Sequence, residues 1–192
     1  MHIGEKIKEY EKTNKYTYIF GFEESYGYLS GTYARDKDAI FASMLITEMS
    51  AYYKAEGKTL YDALMELYKN YGYFKDDVIS IKKEGVSAKE EMTKTMAKIR
   101  ENLPKEINNT RVLKVRDYKA DKITDLQTGK TEPTGLPESD VLFFEMEDKA
   151  NLVIRPSGTE PIIKLYFGIP GSSSEECEKK LGNYKEAMKQ ML

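Results

Sequence analysis

Residues 1–73 carry three helical patterns but only one convincing strand, and this imbalance constrains the fold more than any other feature. Residues 16–22 (YTYIFGF) are rich in aromatic and β-branched side chains and read as a strand. Around it lie a short Lys/Glu-rich amphipathic stretch at residues 5–12, with Ile7 and Tyr10 on one side, and two longer helical patterns. The first opens near Asp36, carries Ile40, Met44, Leu45, Met49 and Tyr52, and closes at Gly57. The second opens on Thr59 and Asp62, carries Leu60, Ala63, Leu64, Leu67 and Tyr71, and stops by Gly72. A lone strand leaves its backbone donors and acceptors unpaired and exposes an edge prone to aggregation. Either a further strand is hidden in the pattern or the two halves share one sheet, or the sequence opens part-way through a domain.

The second half has a different rhythm. Residues 78–81 read as a short strand, and residues 74–77 as the link between the halves. Ser87 and Glu90 form an S-x-x-E box ahead of a helix with Met92, Met96, Ile99 and Leu103 on one stripe, ending before Pro104. Strands are expected at residues 111–116, 141–146, 151–154 and 162–169, with a polar hairpin or excursion over residues 117–140. Residues 172–174 cap a last helix whose Cys177, Leu181, Tyr184 and Met188 share a face. This order predicts an α+β domain, with helices on one face of an antiparallel sheet.

Composition removes several kinds of chemistry. Thirty Lys and Arg against 32 Asp and Glu give a formal charge of −2, without the basic excess that broad nucleic-acid binding needs. No apolar run approaches the ~20 residues that span a bilayer, and the first residues lack the apolar core of a signal peptide; a cytoplasmic location is expected. One cysteine, Cys177, and one histidine, His2, exclude a disulfide framework and a Cys/His zinc site within these residues. Any chemistry falls to carboxylates, hydroxyls, Lys, Arg and the backbone.

Two stretches stand apart. Gly21-Phe22-Glu23-Glu24-Ser25-Tyr26-Gly27 follows the aromatic strand, where α/β folds place ligand-binding loops, and combines acceptors with a hydroxyl donor suited to sugar hydroxyls. The same letters also describe an ordinary solvated turn; the basic residues Arg35 and Lys37 just downstream favour a site. Arg155-Pro156-Ser157-Gly158-Thr159-Glu160-Pro161 lies between two apolar strands. It offers a guanidinium, two hydroxyls and a glycine for close backbone approach, with Lys164 following, which is what a phosphate dianion needs. It reads equally as a tight turn. No G-x-x-x-x-G-K-[ST] occurs, so the phosphate need not belong to a nucleotide.

Taken together, GFEESYG, ARDKDA and RPSGTEPIIKLY, in that order, resemble the later part of the α-D-phosphohexomutases, the bacterial phosphoglucomutase/phosphomannomutase group. The resemblance covers essentially the whole chain. It implies an α/β portion of a third domain over residues 1–74, followed over residues 75–192 by a fourth, α+β domain of TATA-binding-protein-like shape. It places sugar contacts on Glu23 and Ser25 and substrate contacts on Arg35 and Lys37, with Lys37 a candidate for proton transfer. The phosphate contacts fall on Arg155, Ser157, Gly158, Thr159 and Lys164. Lys164 stands where some relatives carry arginine, which keeps the charge but loses the bidentate fork.

The implied reaction interconverts hexose 1-phosphates and 6-phosphates through a bisphosphate. It uses a phosphoserine, magnesium and a glucose 1,6-bisphosphate-type activator. The family's T-A-S-H-N-P and D-G-D-x-D-R motifs are absent, so no metal ligands are expected here and these residues alone are expected to be inert. The partners implied are a phosphohexose and the domains that precede the third in the family. Self-association through exposed third-domain surface is a further expectation. A free-standing phosphosugar-binding module, and a mutase for phosphopentose or phosphoglucosamine, are the alternative readings.

Overall fold

The computed structural model describes residues 2–23, 26–85 and 87–192. The chain divides into two units, residues 1–67 and residues 68–192.

In the first unit, helix α1 (His2–Thr13) buries Ile7 completely and ends where Asn14 enters the left-handed region and donates its N–H to the Tyr10 carbonyl. The aromatic stretch forms less strand than its composition suggests. Only β1 (Phe20–Phe22) is paired, against β2 (Tyr28–Ser30), with Phe20 opposite Ser30 and Phe22 opposite Tyr28. Strand β2 escaped the sequence reading because three residues between Gly27 and Gly31 are too few for alternation to register. Helix α2 (Ala39–Ala55) starts after Asp38 rather than at Asp36: the Asp38 carboxylate accepts the N–H groups of Ile40 and Phe41, both at 2.9 Å. Helix α3 (Leu60–Tyr71) opens on a reciprocal box. Asp62 donates its N–H to Thr59 Oγ1 at 3.1 Å, and Thr59 returns its own to Asp62 Oδ2 at 2.8 Å.

The second unit is a sheet with helices on one face. Its elements are β3 (Tyr73–Lys82), α4 (Ala88–Glu101), β4 (Glu106–Ile107), β5 (Thr110–Asp117), β6 (Lys122–Asp125) and β7 (Thr131–Glu132), then β8 (Leu142–Met146), β9 (Asn151–Pro156), β10 (Ile162–Gly171) and α5 (Ser174–Gln190). The strands are antiparallel throughout, in the order β3-β10-β9-β8-β5-β6-β7, with β4 paired to β5. Residues 74–77, expected as a link, lie inside β3, which follows β10 from Tyr73 opposite Gly171 to Lys82 opposite Ile162. Their charges disguised them, and an edge strand tolerates such charges because its outer side meets water. The S-x-x-E box before α4 does not form either. Ser87 donates its hydroxyl to Glu91 at 2.7 Å, and Glu90 pairs with Lys94.

Alternation explains the core. Ile163, Leu165, Phe167 and Ile169 of β10 face Leu152 and Ile154 of β9 and Leu142, Phe144 and Met146 of β8, all buried. Met92, Met96 and Ile99 of α4 and Leu181, Tyr184 and Met188 of α5 close over them. Val112 and Val115 of β5 are both buried although an odd spacing should put them on opposite faces. A register shift between Val112 and Lys114 absorbs the extra residue and returns both to the core. Arg100 ties α4 to the sheet, bonding both carboxylate oxygens of Asp117 at 3.1 Å and reaching Asp140.

Two outcomes follow. Leu165→Ala, at a side chain with no exposure, is expected to cost about 2–5 kcal/mol in urea denaturation followed by circular dichroism, whereas Ile40→Ala on the exposed surface of α2 leaves the midpoint in place. Glu176, held by the Lys180 ammonium and by the hydroxyl and N–H of Ser172, has its carboxyl lowered from the usual 4.5 to about 2. A folded value below the unfolded one stabilises above the unfolded value and is lost as pH falls through the folded one. Stability is therefore expected to fall between pH ~4.5 and ~2, and Glu176→Gln to flatten the urea midpoint across that window.

Candidate functional site

The candidate sugar-loop residues described in the first unit are positioned by two glycines and a cap. The Glu23 N–H donates to the Gly27 carbonyl at 2.8 Å, turning the chain straight back on itself, with Tyr26 in the left-handed region at φ 63°. At Gly27 an added Cβ would stand 1.8 Å from Lys37 Cδ, so the glycine leaves room for the lysine stem to lie across the loop. Lys37 Nζ thereby reaches Glu23 Oε2 at 3.4 Å and Asp36 Oδ1 at 3.0 Å. The segment that carries Lys37 is fixed from behind by Asp38, which caps α2, donates its N–H to Tyr28 and accepts the Tyr33 hydroxyl at 2.6 Å.

These contacts set the charges. The Asp36 hydrogen bond and charge, then those of Glu23, push the Lys37 ammonium above its ordinary value. Partial burial works to raise the Glu23 carboxyl, but the Lys37 hydrogen bond and charge hold it below the usual range. The pair sets an ammonium beside carboxylates, a donor next to acceptors. Arg35 is turned elsewhere. Its guanidinium takes both carboxylate oxygens of Glu11 at 2.7 Å and the Thr32 carbonyl at 2.6 Å, so it fastens this loop to α1 instead of joining Lys37. Gly4 of α1 allows that approach, since a Cβ there would lie 2.7 Å from the Arg35 carbonyl oxygen. Ser25, expected to contact the sugar, lies outside the described residues, as does Glu24.

In the second unit the candidate phosphate loop is the turn between β9 and β10. Register places Arg155 directly opposite Lys164, both on the sheet face away from the helices, with Ser80 of β3 next to Lys164 in the same row. Like charges directly opposite destabilise a sheet unless an anion intervenes. Among the described residues neither cation has a carboxylate partner. The turn is closed by Ser157 N–H to the Ile162 carbonyl at 2.7 Å. The Ser157 hydroxyl gathers the N–H groups of Thr159 and Glu160, at 3.4 and 3.3 Å, and lies 3.5 Å from the Thr159 hydroxyl. Donors thus converge on one oxygen, a small version of the backbone nests that hold anions. A Cβ at Gly158 would meet open space, so nothing within the protein demands the glycine. The structure adds Lys89, whose ammonium reaches the Gly158 carbonyl at 3.5 Å. It lies in the first turn of α4, where a cation opposes the helix dipole. Only the fold joins positions so far apart in sequence. Among the described residues, no group of three or more His, Cys, Asp and Glu is arranged to hold a metal ion.

Comparison with known proteins finds a family match and relatives that span most of this chain. The family described as phosphoglucomutase/phosphomannomutase, alpha/beta/alpha domain III, matches residues 1–71. A phosphoglucomutase of Staphylococcus haemolyticus is 34% identical over 183 residues, covering 95% of this chain and 33% of its own length. One from Staphylococcus aureus is 37% identical over 163 residues, covering 85% and 29% respectively. Among solved structures, the open form of parafusin from Paramecium, a phosphoglucomutase, superposes with a TM-score of 0.55. It covers 90% of this chain and 29% of its own, at 16% identity, which speaks to fold alone. The chain therefore spans about a third of the length of the relatives it matches. With fold, motifs and relatives in agreement, it belongs to the phosphoglucomutase/phosphomannomutase family.

Proposed function

We propose that this chain supplies sugar and phosphate contacts to a phosphoglucomutase-type reaction, the interconversion of hexose 1-phosphate and 6-phosphate in the cytoplasm. Glu23 and Ser25 bond hexose hydroxyls, and Lys37 acts as a protonated contact on the same loop. Arg155, Ser157, Gly158, Thr159 and Lys164 take the phosphate that is not being transferred. The observation that carries this reading is the Arg155–Lys164 row, two like charges held opposite each other with no carboxylate partner among the described residues, beside a loop whose N–H groups converge. A phosphate dianion converts that repulsion into two charge-assisted contacts.

The reaction also draws on magnesium and a bisphosphate activator. The residues described here do not fit a magnesium site. Phosphoryl transfer rests on positioning together with a metal and a phosphoryl donor, and neither a T-A-S-H-N-P serine nor a D-G-D-x-D-R carboxylate cluster occurs in this sequence. The chain by itself is accordingly a holder of substrate and not a catalyst.

Titration with glucose 1-phosphate, followed by amide NMR, is expected to move the signals of residues 157–159 together with Lys164. Losing one charge-assisted contact costs roughly 1.5–3 kcal/mol, so Arg155→Ala and Lys164→Ala are each expected to weaken binding at least tenfold. Shifts that ignore both substitutions would overturn the phosphate assignment. In the same preparation, conversion of glucose 1-phosphate to glucose 6-phosphate in the presence of glucose 1,6-bisphosphate is expected to be absent.

A further inference from the structure

The peptide that joins Gly158 to Thr159 is held at both of its polar ends. Its N–H points to the Ser157 hydroxyl at 3.4 Å, and its carbonyl accepts the Lys89 ammonium at 3.5 Å. In a trans peptide these two groups point in opposite directions, so the serine and the lysine grip one rigid plane from its two sides. Packing does not fix that plane. A Cβ added at Gly158 would touch nothing within 4 Å, and a glycine leaves the backbone on either side of it the widest choice of torsion.

Among the described residues Lys89 forms no ion pair, while its acidic neighbours on α4 are engaged elsewhere: Glu90 pairs with Lys94 at 2.6 Å and Glu91 accepts the Ser87 hydroxyl at 2.7 Å. Nor does the lysine serve its own helix. Ala88 opens α4, so Lys89 lies in the first turn, where an ammonium meets the positive end of the helix dipole and weakens it. A long cation stands at a place that disfavours it, and its one described contact is the carbonyl of a loop in another part of the unit.

We infer that Lys89 is a positioning residue of the phosphate loop. Its ammonium fixes the direction of the Gly158 carbonyl and so turns the Thr159 N–H to the side where Ser157 gathers donors. By drawing electron density onto that carbonyl it also makes the same N–H a stronger donor. The inference rests on the phosphate reading above and adds to it a residue that the loop motif does not contain, 69 positions from Gly158 in sequence. The two kinds of cation divide the work. Arg155 and Lys164 bring charge from the sheet face away from the helices, and Lys89, from α4 on the other face, sets the aim of one donor.

The test titrates the chain with inorganic phosphate and follows the Thr159 amide and the Gly158 carbonyl carbon by NMR. Before any phosphate is added, Lys89→Ala is expected to move both signals, since the carbonyl loses its partner. Phosphate affinity is expected to fall roughly fivefold, the scale of one net hydrogen bond, and Lys89→Arg to restore both the signals and the affinity. The urea midpoint of Lys89→Ala is expected to stay in place or rise, because the helix loses an opposed cation; this separates lost positioning from lost folding. An affinity that falls while both signals stay where they were makes Lys89 a distant charge and overturns the inference. Signals that move with no change in affinity overturn it too. A chain that binds no phosphate overturns the functional reading and this inference together, whereas binding that Arg155→Ala weakens and Lys89→Ala does not overturns the role of Lys89 alone.

Discussion

Strand β10 is the element on which the second unit depends. Ten residues long, it is paired along its full length with β3 on one side and over six residues with β9 on the other. A two-residue period then does two jobs at once. Ile163, Leu165, Phe167 and Ile169 point to the helices and form the middle of the core, while Lys164 between them points away and meets Arg155. Because one period sets both faces, the cation's position is as well determined as the core itself. A slip of one residue would bury Lys164 and expose Leu165, so the apolar face also fixes which residues stand opposite each other across the β9–β10 turn.

The first unit is organised by caps and close approaches instead of a core. Asp38, Thr59 and Asp62 secure helix starts, Gly4 and Gly27 let chains touch, and Arg35 spends its guanidinium on Glu11. Such contacts shape a loop well, but they are mostly exposed, and exposed polar pairs contribute little to stability. The Glu23–Lys37 pair is thus placed by local geometry, not by a packed scaffold.

Much of this was legible in the sequence for physical reasons. The α5 face of Cys177, Leu181, Tyr184 and Met188 appeared at helical spacing and is buried as such. The core strands showed through alternation, and the first-unit imbalance survives as a two-stranded sheet beside an apolar helix with no buried residue. Apart from β2, which is too short to register, what stayed hidden depends on partners distant in sequence. Residues 74–77 look like a linker until β10 pairs with them. Val112 and Val115 look out of phase until the register shift is known. Lys89 carries no signal until α4 is set beside the loop at Gly158. Arg35, which a local motif marks as a substrate contact, pairs here with Glu11 of a helix outside that motif.

The Ser157 hydroxyl has a consequence for how far its loop is ordered in advance. By accepting the Thr159 and Glu160 N–H groups it stands in for the oxygen of a guest, so the loop is already shaped when empty. For the anion proposed above, the loop leaves little chain to freeze, so the entropy of ordering falls on folding and not on binding.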